Sequence, residues 1–392
     1  MSSSIDVERA RADTPGAAKV VHLNNAGAAL PPRQVLEPVL EHLRLEAAIG
    51  GYEAAHAARK RIEGAYGAVA RLIGCAPDEV AILENATRAW DMAFYGLPIG
   101  AGDRILCSEA EYASNYLAFL QVARRRGARI DVVPSDERGQ LDVGALERMI
   151  DARVRLIAVT HVPTNGGLVN PAAAIGRVAR AARVPYLLDA CQSVGQLPLD
   201  VEALGCDFLS ATGRKFLRGP RGTGFLYVRR ERLAELEPPF IDLYAARWTA
   251  RDEYELRPDA RRFEGFEANV AAKLGLGAAA EYALGWGLDA IWTRVRELAG
   301  ALRERLSAIP GVVLRDLGPE PCGIVTFTRH GVDPRALTFE LRGEGINVWF
   351  SETPSTRLDM EARGLAAVVR ASVHYYNELA EIERFCDRLR RW

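Results

Sequence analysis

Short apolar runs that alternate with helical segments dominate the chain between residues 129 and 228. The runs that read as strands are Arg129–Val133, Val154–Thr160, Tyr186–Asp189, Phe208–Ala211 and Gly224–Tyr227. Helical periodicity fills the gaps near residues 143–150 and 171–182. This alternation predicts an α/β fold with a mainly parallel, doubly wound sheet. Ligands of such sheets bind at the carboxyl ends of the strands, so the residues that follow these runs are the first candidates for a functional site.

The chain is long enough for two lobes. It has 392 residues, of which 49% are apolar, and this exceeds the usual size of one compact unit. A long helix is expected to begin near residue 261, and shorter strand and helix patterns follow it. We therefore expect a flexible N-terminal segment (1–19), a large domain (20–260), and a connecting helix with a small C-terminal α/β domain (261–392).

A glycine-rich turn between the last two of these strands contains Lys215. Only four of the 50 basic side chains counted as Lys and Arg are lysines, and the others are arginine. Arginine does not lose its proton to become a nucleophile, whereas a desolvated lysine does and can form a Schiff base. Thr212 and Arg214 add donors suited to a phosphate. For this turn alone, a lysine that anchors a structural loop is the alternative.

Asp189 ends an earlier strand, and Gln192 follows it by three residues. Pyridoxal 5′-phosphate (PLP) needs both a lysine for its aldehyde and a carboxylate for its protonated ring nitrogen. The strand–loop–strand pattern between Asp189 and Lys215 brings both to one sheet edge. Alone, Asp189 would read as a strand-end residue or a helix cap. Together, the two residues predict PLP as the cofactor, with Lys215 and Asp189 as catalytic residues.

These features resemble the class V aminotransferase family of fold-type I PLP enzymes. The resemblance rests on Lys215 with Thr212 and Gly213, on Asp189–Gln192, and on the run Val368–Asn377. The family includes cysteine desulfurases, selenocysteine lyases, isopenicillin N epimerase-like proteins and hercynylcysteine sulfoxide lyases. The resemblance implies a fold-type I PLP-dependent transferase, with a seven-stranded-type sheet in the large lobe.

The resemblance also assigns cofactor-binding residues. Ala86 and Thr87 begin a helix after a strand, where free backbone donors and the helix dipole favour the PLP phosphate; a plain N-cap threonine is the alternative. Tyr112 takes the position of the ring that stacks on the pyridine, where desulfurases carry histidine, and is predicted to be a catalytic as well as a cofactor-binding residue. Either Thr164 or Asn165 takes the position of an asparagine that contacts the cofactor's ring oxygen. Gln192, Thr212 and Arg214 complete the predicted cofactor set.

Three residues are predicted to contact the substrate. Arg370 lies among apolar neighbours, and a buried guanidinium needs an anion, so it is expected to clamp the substrate's α-carboxylate. Its alternative partner is an internal Asp or Glu. The resemblance places Ala26 and Gly27 in the substrate pocket, although an ordinary strand–helix turn explains them equally well.

Net charge and cysteine spacing indicate which kinds of binding partner this chain can have. The net charge of −1 gives no basic field for nucleic acid or an anionic membrane. Six scattered cysteines, without a CxxC pair or a histidine cluster, indicate reduced thiols in a cytoplasmic protein and no metal site. The resemblance implies a homodimer in which a small hydroxyl residue reaches the partner's phosphate. Glu267 stands at that position, a departure from the family.

The reaction type is the least constrained expectation. Desulfurases need a thiolate on the loop before the Arg370 strand, but Ser351–Ala367 contains no cysteine. Tyr112 and Arg214 both replace histidines of desulfurases, and the run Gly50–Ala55 is similar to the sulfoxide lyase branch. The sequence therefore favours a C–S lyase that performs β-elimination on a cysteine conjugate or its sulfoxide. Transamination and epimerisation are the alternatives, and desulfuration or a non-catalytic PLP-binding regulator is disfavoured.

Overall fold

The structure, a computed structural model, describes residues 5–391. Helices and strands alternate over most of this range. The strands are β1 (Val21–His22), β2 (Val80–Leu83), β3 (Arg104–Ser108), β4 (Arg129–Val133), β5 (Val154–Thr160), β6 (Tyr186–Asp189), β7 (Phe208–Thr212), β8 (Gly224–Val228), β9 (Ala246–Ala250), β10 (Glu253–Leu256), β11 (Val312–Leu314), β12 (Ile324–Arg329), β13 (Ile346–Asn347), β14 (Trp349–Glu352) and β15 (Ala367–Ser372). The α-helices are α1 (Val7–Ala12), α2 (Asn25–Ala28), α3 (Arg33–Ile49), α4 (Gly51–Ala57), α5 (Arg59–Ile73), α6 (Ala86–Gly96), α7 (Ala113–Arg126), α8 (Val143–Met149), α9 (Ala172–Ala182), α10 (Val201–Leu204), α11 (Val270–Trp286), α12 (Leu288–Ser307), α13 (Pro334–Gly343), α14 (Arg357–Ala362) and α15 (Leu379–Arg390).

The central sheet has seven strands in the order β2-β8-β7-β6-β5-β3-β4. Neighbouring strands are parallel except at β8, which runs antiparallel to both β2 and β7. Strands β6, β7 and β8 are buried along their whole length, because helices cover both faces and leave no solvated side for polar residues. The mainly parallel α/β sheet predicted from the sequence is confirmed.

A second sheet of four antiparallel strands, β11-β12-β15-β14, forms in the C-terminal part of the chain. Helices α12 and α15 pack with it around a separate apolar core that includes Leu302, Phe327 and Phe385. The short strand β1 pairs with β13, with Val21 opposite Ile346, so the start of the chain joins the C-terminal part. The domain boundary at residues 260/261 stays a prediction.

Residues 5–19, which we expected to be flexible, form helix α1 and a 3₁₀ turn at Pro15–Ala18. Arg11 of this segment makes an ion pair with Glu381 at 3.1 Å. Thr14 accepts a hydrogen bond from Arg218 at 2.5 Å. These long-range polar contacts order the segment in a way that its small and polar composition did not indicate. The first four residues lie outside the described range.

Between residues 5 and 391, no helix is both long enough and apolar enough to span a lipid bilayer.

Candidate active site

Four neighbouring strands of the central sheet end in polar residues at one edge. Ser108 ends β3, Thr160 ends β5, Asp189 ends β6 and Thr212 ends β7, and all four residues are buried. Because β3, β5, β6 and β7 are adjacent and parallel, their carboxyl ends meet along this edge. The edge is where the sequence predicts the functional site.

The Asp189 carboxylate is held by two neutral donors. Its Oδ1 accepts the backbone N–H of Cys191 at 2.9 Å, and its Oδ2 accepts Nδ2 of Asn115 at 2.9 Å. The side chain is buried but takes part in no ion pair within residues 5–391. Its charge is thus available to a cationic group that binds beyond the strand end, such as a protonated ring nitrogen.

Lys215 follows β7 and brings its amine into the same region. The side chain is buried, and Nζ lies 5.9 Å from the centre of the Tyr112 ring. Burial lowers the pKa of the Lys215 amine, and the charges of Arg214 and Arg370 lower it further, against opposing effects of Cys191 and Asp189. A lowered pKa increases the fraction of the amine that is neutral and therefore nucleophilic.

Arg370, on β15, approaches this region from the second sheet. Its Nη1 donates to Oγ1 of Thr164, whereas its Nε is buried without a hydrogen-bond partner. No carboxylate within residues 5–391 pairs with it, and burial lowers the pKa of the guanidinium to about 10. The alternative of an internal Asp or Glu partner is thereby removed, and the site is short of one anion.

The Thr164 hydroxyl also connects Arg370 with the turn after β1. Gln192 Nε2 lies 3.5 Å from Thr164 Oγ1 and donates to the carbonyl oxygen of Ala26 at 3.1 Å. The structure thus brings Thr164, Gln192, Ala26 and Arg370 together. The Oε1 atom of Gln192 is buried without a partner and faces no donor among the described residues.

Asn165 and Arg214 have different surroundings. Asn165 Nδ2 donates to Oγ1 of Thr356 at 3.0 Å, in the segment that joins β14 to β15, so Thr164 and not Asn165 contacts Arg370. Arg214 donates through Nη1 to the carbonyl oxygen of Gly27. Because Arg214 directly precedes Lys215 in the chain, this hydrogen bond holds Gly27 near Lys215.

Ala86 and Thr87 form the first turn of α6, as predicted. Asn85 is the N-cap, because its Oδ1 accepts a backbone N–H of this turn at 2.8 Å, and the exposed Thr87 is left free of a capping role. Gly224 of β8 packs directly on the turn: a Cβ there would lie 2.7 Å from the Ala86 nitrogen. Since Thr212 pairs with Gly224, the helix start lies beside the end of β7.

This set of groups fits PLP. A desolvated amine (Lys215), a buried carboxylate (Asp189) and an aromatic ring (Tyr112) surround one region, with a helix N-terminus beside the adjacent strand. Two buried polar atoms there, Gln192 Oε1 and Arg370 Nε, have no partner among the described residues, as expected of groups that await a polar ligand.

Comparison with known proteins identifies the family. The family model described as aminotransferase class-V matches residues 21–385. The chain belongs to the class-V aminotransferase family. As a class-V aminotransferase it is a PLP-dependent enzyme, so the predicted family and cofactor are both confirmed.

Several full-length relatives of this class-V aminotransferase are named for one activity. A probable cysteine desulfurase of Methanothermobacter thermautotrophicus is 30% identical over 388 residues, covering 97% of each chain. A probable cysteine desulfurase of Xylella fastidiosa is 33% identical, covering 99% of this chain and 95% of the relative. The apo cysteine desulfurase structure from Thermococcus onnurineus superposes with a TM-score of 0.93 at 28% identity, covering 100% of this chain and 99% of that one.

The prediction of a C–S lyase acting by β-elimination is wrong in this light, and so are its transaminase and epimerase alternatives. It gave too much weight to the missing cysteine in Ser351–Ala367. That absence bears on which group accepts the sulfur, whereas the Cβ–S bond of the substrate breaks in both reactions. The match of Gly50–Ala55 with another branch was too short to outweigh a full-length similarity.

The sequence analysis overlooked Glu111 and Asn115. Both are buried, and Asn115 Nδ2 donates at 2.9 Å to Glu111 Oε1 as well as to Asp189. Burial raises the pKa of the Glu111 carboxyl from its ordinary value of 4.5 to about 7. Glu111 precedes α7 and Asn115 lies in its first turn, and nothing in the local sequence pairs the two side chains.

Proposed function

We propose that this enzyme is a PLP-dependent cysteine desulfurase that removes the sulfur of cysteine and leaves alanine. One observation carries the proposal: the buried Lys215 amine and the buried Arg370 guanidinium, which lacks a carboxylate partner, lie close enough that the charge of Arg370 lowers the pKa of Lys215. An α-amino acid matches this pair, because its carboxylate supplies the anion that Arg370 lacks. The names of the full-length relatives support cysteine as that amino acid.

PLP bound here would supply an electron sink for the charge that develops at the substrate's Cα. Lys215 would hold its aldehyde and, once released, move the proton at Cα, since burial lowers the pKa of its amine. Asp189 would keep the ring nitrogen protonated, and the Tyr112 ring would cover one face of the cofactor. We assign the phosphate to Ala86, Thr87, Thr212 and Arg214, and substrate contacts to Arg370, Ala26 and Gly27.

The sulfur acceptor is proposed to be a thiol from outside the chain. The segment Ser351–Ala367, which contains α14, has no cysteine. Burial raises the pKa of all six thiols of the chain, and that of Cys386, the least shifted of them, is still about 11. Near neutral pH these thiols are protonated and poor nucleophiles. The balanced reaction is cysteine plus a thiol R–SH giving alanine plus the persulfide R–S–SH.

Incubation of the PLP-loaded enzyme with cysteine and dithiothreitol tests this proposal. Alanine and sulfide are expected in equal amounts, because the dithiol reduces the sulfur to sulfide and becomes oxidised itself. Formation of pyruvate and ammonia in place of alanine would refute desulfuration, and so would the absence of any product from cysteine.

We also propose that two copies of the chain associate in the cytoplasm. A cleft of about 720 Å³ is lined by Leu43, Tyr52 and Phe266, and Tyr52 is 75% exposed. Apolar side chains on this scale favour burial against another protein surface. Glu267 and Asn269 line the same cleft, and Asn269 caps α11 through its side chain. Analytical ultracentrifugation at micromolar concentration would show twice the monomer mass if the proposal holds, and the monomer mass if it does not.

A further inference from the structure

Glu111 lies between β3 and α7 and accepts hydrogen bonds from groups on three elements. Its Oε1 accepts the side chain of Asn115 at 2.9 Å and the backbone N–H of Tyr112 at 3.2 Å. Its Oε2 accepts the backbone N–H of Thr160 at 3.1 Å and the hydroxyl of Ser108 at 3.2 Å. The Thr160 hydroxyl donates to it as well. Every one of these contacts satisfies an ionised carboxylate, which accepts and cannot donate.

Two of these contacts lead to the cofactor pocket. The Asn115 amide nitrogen lies 2.9 Å from Glu111 Oε1 and 2.9 Å from Asp189 Oδ2, so its two hydrogens bridge the two carboxylates. The second contact fixes the backbone of Tyr112 at the start of α7, and this backbone sets the direction of the ring above Lys215. One buried side chain thus helps to place two residues of the site, together with Thr160, which accepts from the Tyr112 N–H at 3.3 Å, and Cys191, whose N–H donates to Asp189.

The surroundings of Glu111 hold little compensating charge. The titratable groups that interact with it are Asp189 and Tyr186 on β6 and Cys107 on β3. Burial raises the pKa of the Cys107 thiol and of the Tyr186 phenol, so both are neutral near pH 7. Asp189 therefore supplies the like charge. The Lys215 amine interacts with Asp189 in turn, because the charge of Asp189 raises the pKa of that amine.

We propose that Glu111 is a positioning residue of the PLP site, which orients Asp189 through Asn115 and the Tyr112 ring through its backbone, and adds negative charge behind the ring-nitrogen partner. The inference depends on the proposed function only through PLP and not through cysteine. A second carboxylate behind Asp189 favours the protonated state of any cationic group that Asp189 contacts. Hydrogen-bond partners that orient metal ligands change metal affinity or activity by about 10- to 100-fold when they are removed, and we expect an effect of similar size for a partner that orients Asp189.

Absorption spectra of the PLP-loaded enzyme without substrate test the proposal. Glu111→Gln removes the charge at nearly constant volume and is expected to shift the pH midpoint of the bound cofactor's absorption and to weaken cofactor binding about 10-fold. Glu111→Asp keeps the charge but shortens the side chain, so it should weaken binding while moving the midpoint less. The kcat for cysteine should fall in both variants with KM changed by less than about twofold, because Arg370 is untouched.

Asp316→Asn is the matched control. Asp316 is a largely buried carboxylate of the second sheet's region, paired with Arg303 at 2.6 Å, so its loss tests general destabilisation without touching the pocket. In a double-mutant cycle, the losses of cofactor affinity in Glu111→Gln and Asn115→Ala should be strongly non-additive if Glu111 acts through Asn115.

A folded Glu111→Gln or Glu111→Asp enzyme that retains the wild-type spectral titration and cofactor affinity would overturn the proposal. An equal loss in the Asp316→Asn control would do the same, since the effect would then be one of stability alone. The cysteine assay is a separate measurement, so a failure of the desulfurase proposal leaves this test intact.

Discussion

The amine nitrogen of Lys215 lies 5.9 Å from the centre of the Tyr112 ring, although the two residues belong to separate elements of the sheet edge. Lys215 is 9% exposed and Tyr112 is 36% exposed, so the amine lies deep in the pocket and the ring lies nearer its mouth. A flat molecule that reacts with the amine would pass beneath the ring.

Replacement of Lys215 by Ala removes the amine that we propose holds the cofactor and moves the Cα proton. We expect the absorption band of covalently attached PLP to disappear and turnover of cysteine to fall by roughly 100- to 10,000-fold. Ultraviolet–visible spectra and alanine formation measure the two effects. Lys60→Ala, at an exposed lysine on α5, is the control and should leave both unchanged. An intact band in Lys215→Ala would contradict the assignment.

Replacement of Arg370 by Met is expected to stabilise the cofactor-free enzyme while impairing catalysis. Burial lowers the pKa of this guanidinium from 12.5 to about 10, so below pH 10 the charged form costs the folded state on the order of 3 kcal/mol. Methionine removes that cost, and the melting temperature should rise by a few degrees. The KM for cysteine should increase by about 10- to 100-fold because the carboxylate clamp is lost.

Arg303→Met gives the opposite expectation and serves as the comparison. Arg303 is paired with Asp316, so its removal leaves a carboxylate without its partner and should lower the melting temperature. Calorimetry of both cofactor-free variants measures the two melting temperatures. A lower melting temperature in Arg370→Met would mean that Arg370 has a compensating partner after all.

The raised pKa of the Glu111 carboxyl should make the free energy of unfolding depend on pH. Its pKa is about 7 in the folded protein and about 4.5 when unfolded, so the folded state binds the proton more tightly. The resulting stability is fully present below pH 4.5 and is lost as the pH rises to 7. Relative to Glu111→Gln, the wild-type free energy of unfolding should decline by about 3 kcal/mol across this window. Urea denaturation of both proteins at pH 5 to 8 measures the difference, which should be constant above pH 8.

Replacement of Cys191 by Ala tests the origin of the sulfur acceptor. Cys191 is the thiol whose charge would act on Lys215, but burial raises its pKa, so it is protonated. We expect the variant to form alanine from cysteine within about twofold of the wild-type rate, with both rates rising as the concentration of added thiol rises. A loss of activity that added thiol does not restore would identify Cys191 as an internal acceptor.

The sequence predicted the central sheet well because parallel buried strands are nearly continuous apolar runs with sharp ends. Predicted strands such as Val154–Thr160 and Tyr186–Asp189 match the structure at both ends. The polar residues at those ends followed from the rule that carboxyl ends meet. Local sequence, in this case, carries most of the information about the sheet.

Residues whose partners are distant in the chain were harder to predict. Thr164 and Asn165 are adjacent, and only the fold decides that Thr164 contacts Arg370 while Asn165 contacts Thr356. Glu111 was missed because a buried carboxylate with neutral donors has no complementary charge to reveal it. The reaction type was wrong because both reactions break the Cβ–S bond, and no side chain of the pocket by itself encodes whether the electron pair leaves with sulfur or stays on carbon.

Arg218 adopts a left-handed backbone conformation with φ of 63° three residues after Lys215. Its guanidinium contacts Thr14 at 2.5 Å and Tyr375 at 2.7 Å, so the amino-terminal segment is fastened to the loop that bears the reactive amine. Loosening of that loop would also release the amino terminus. Protease cleavage within residues 5–20 would then report whether the loop that bears Lys215 is in place.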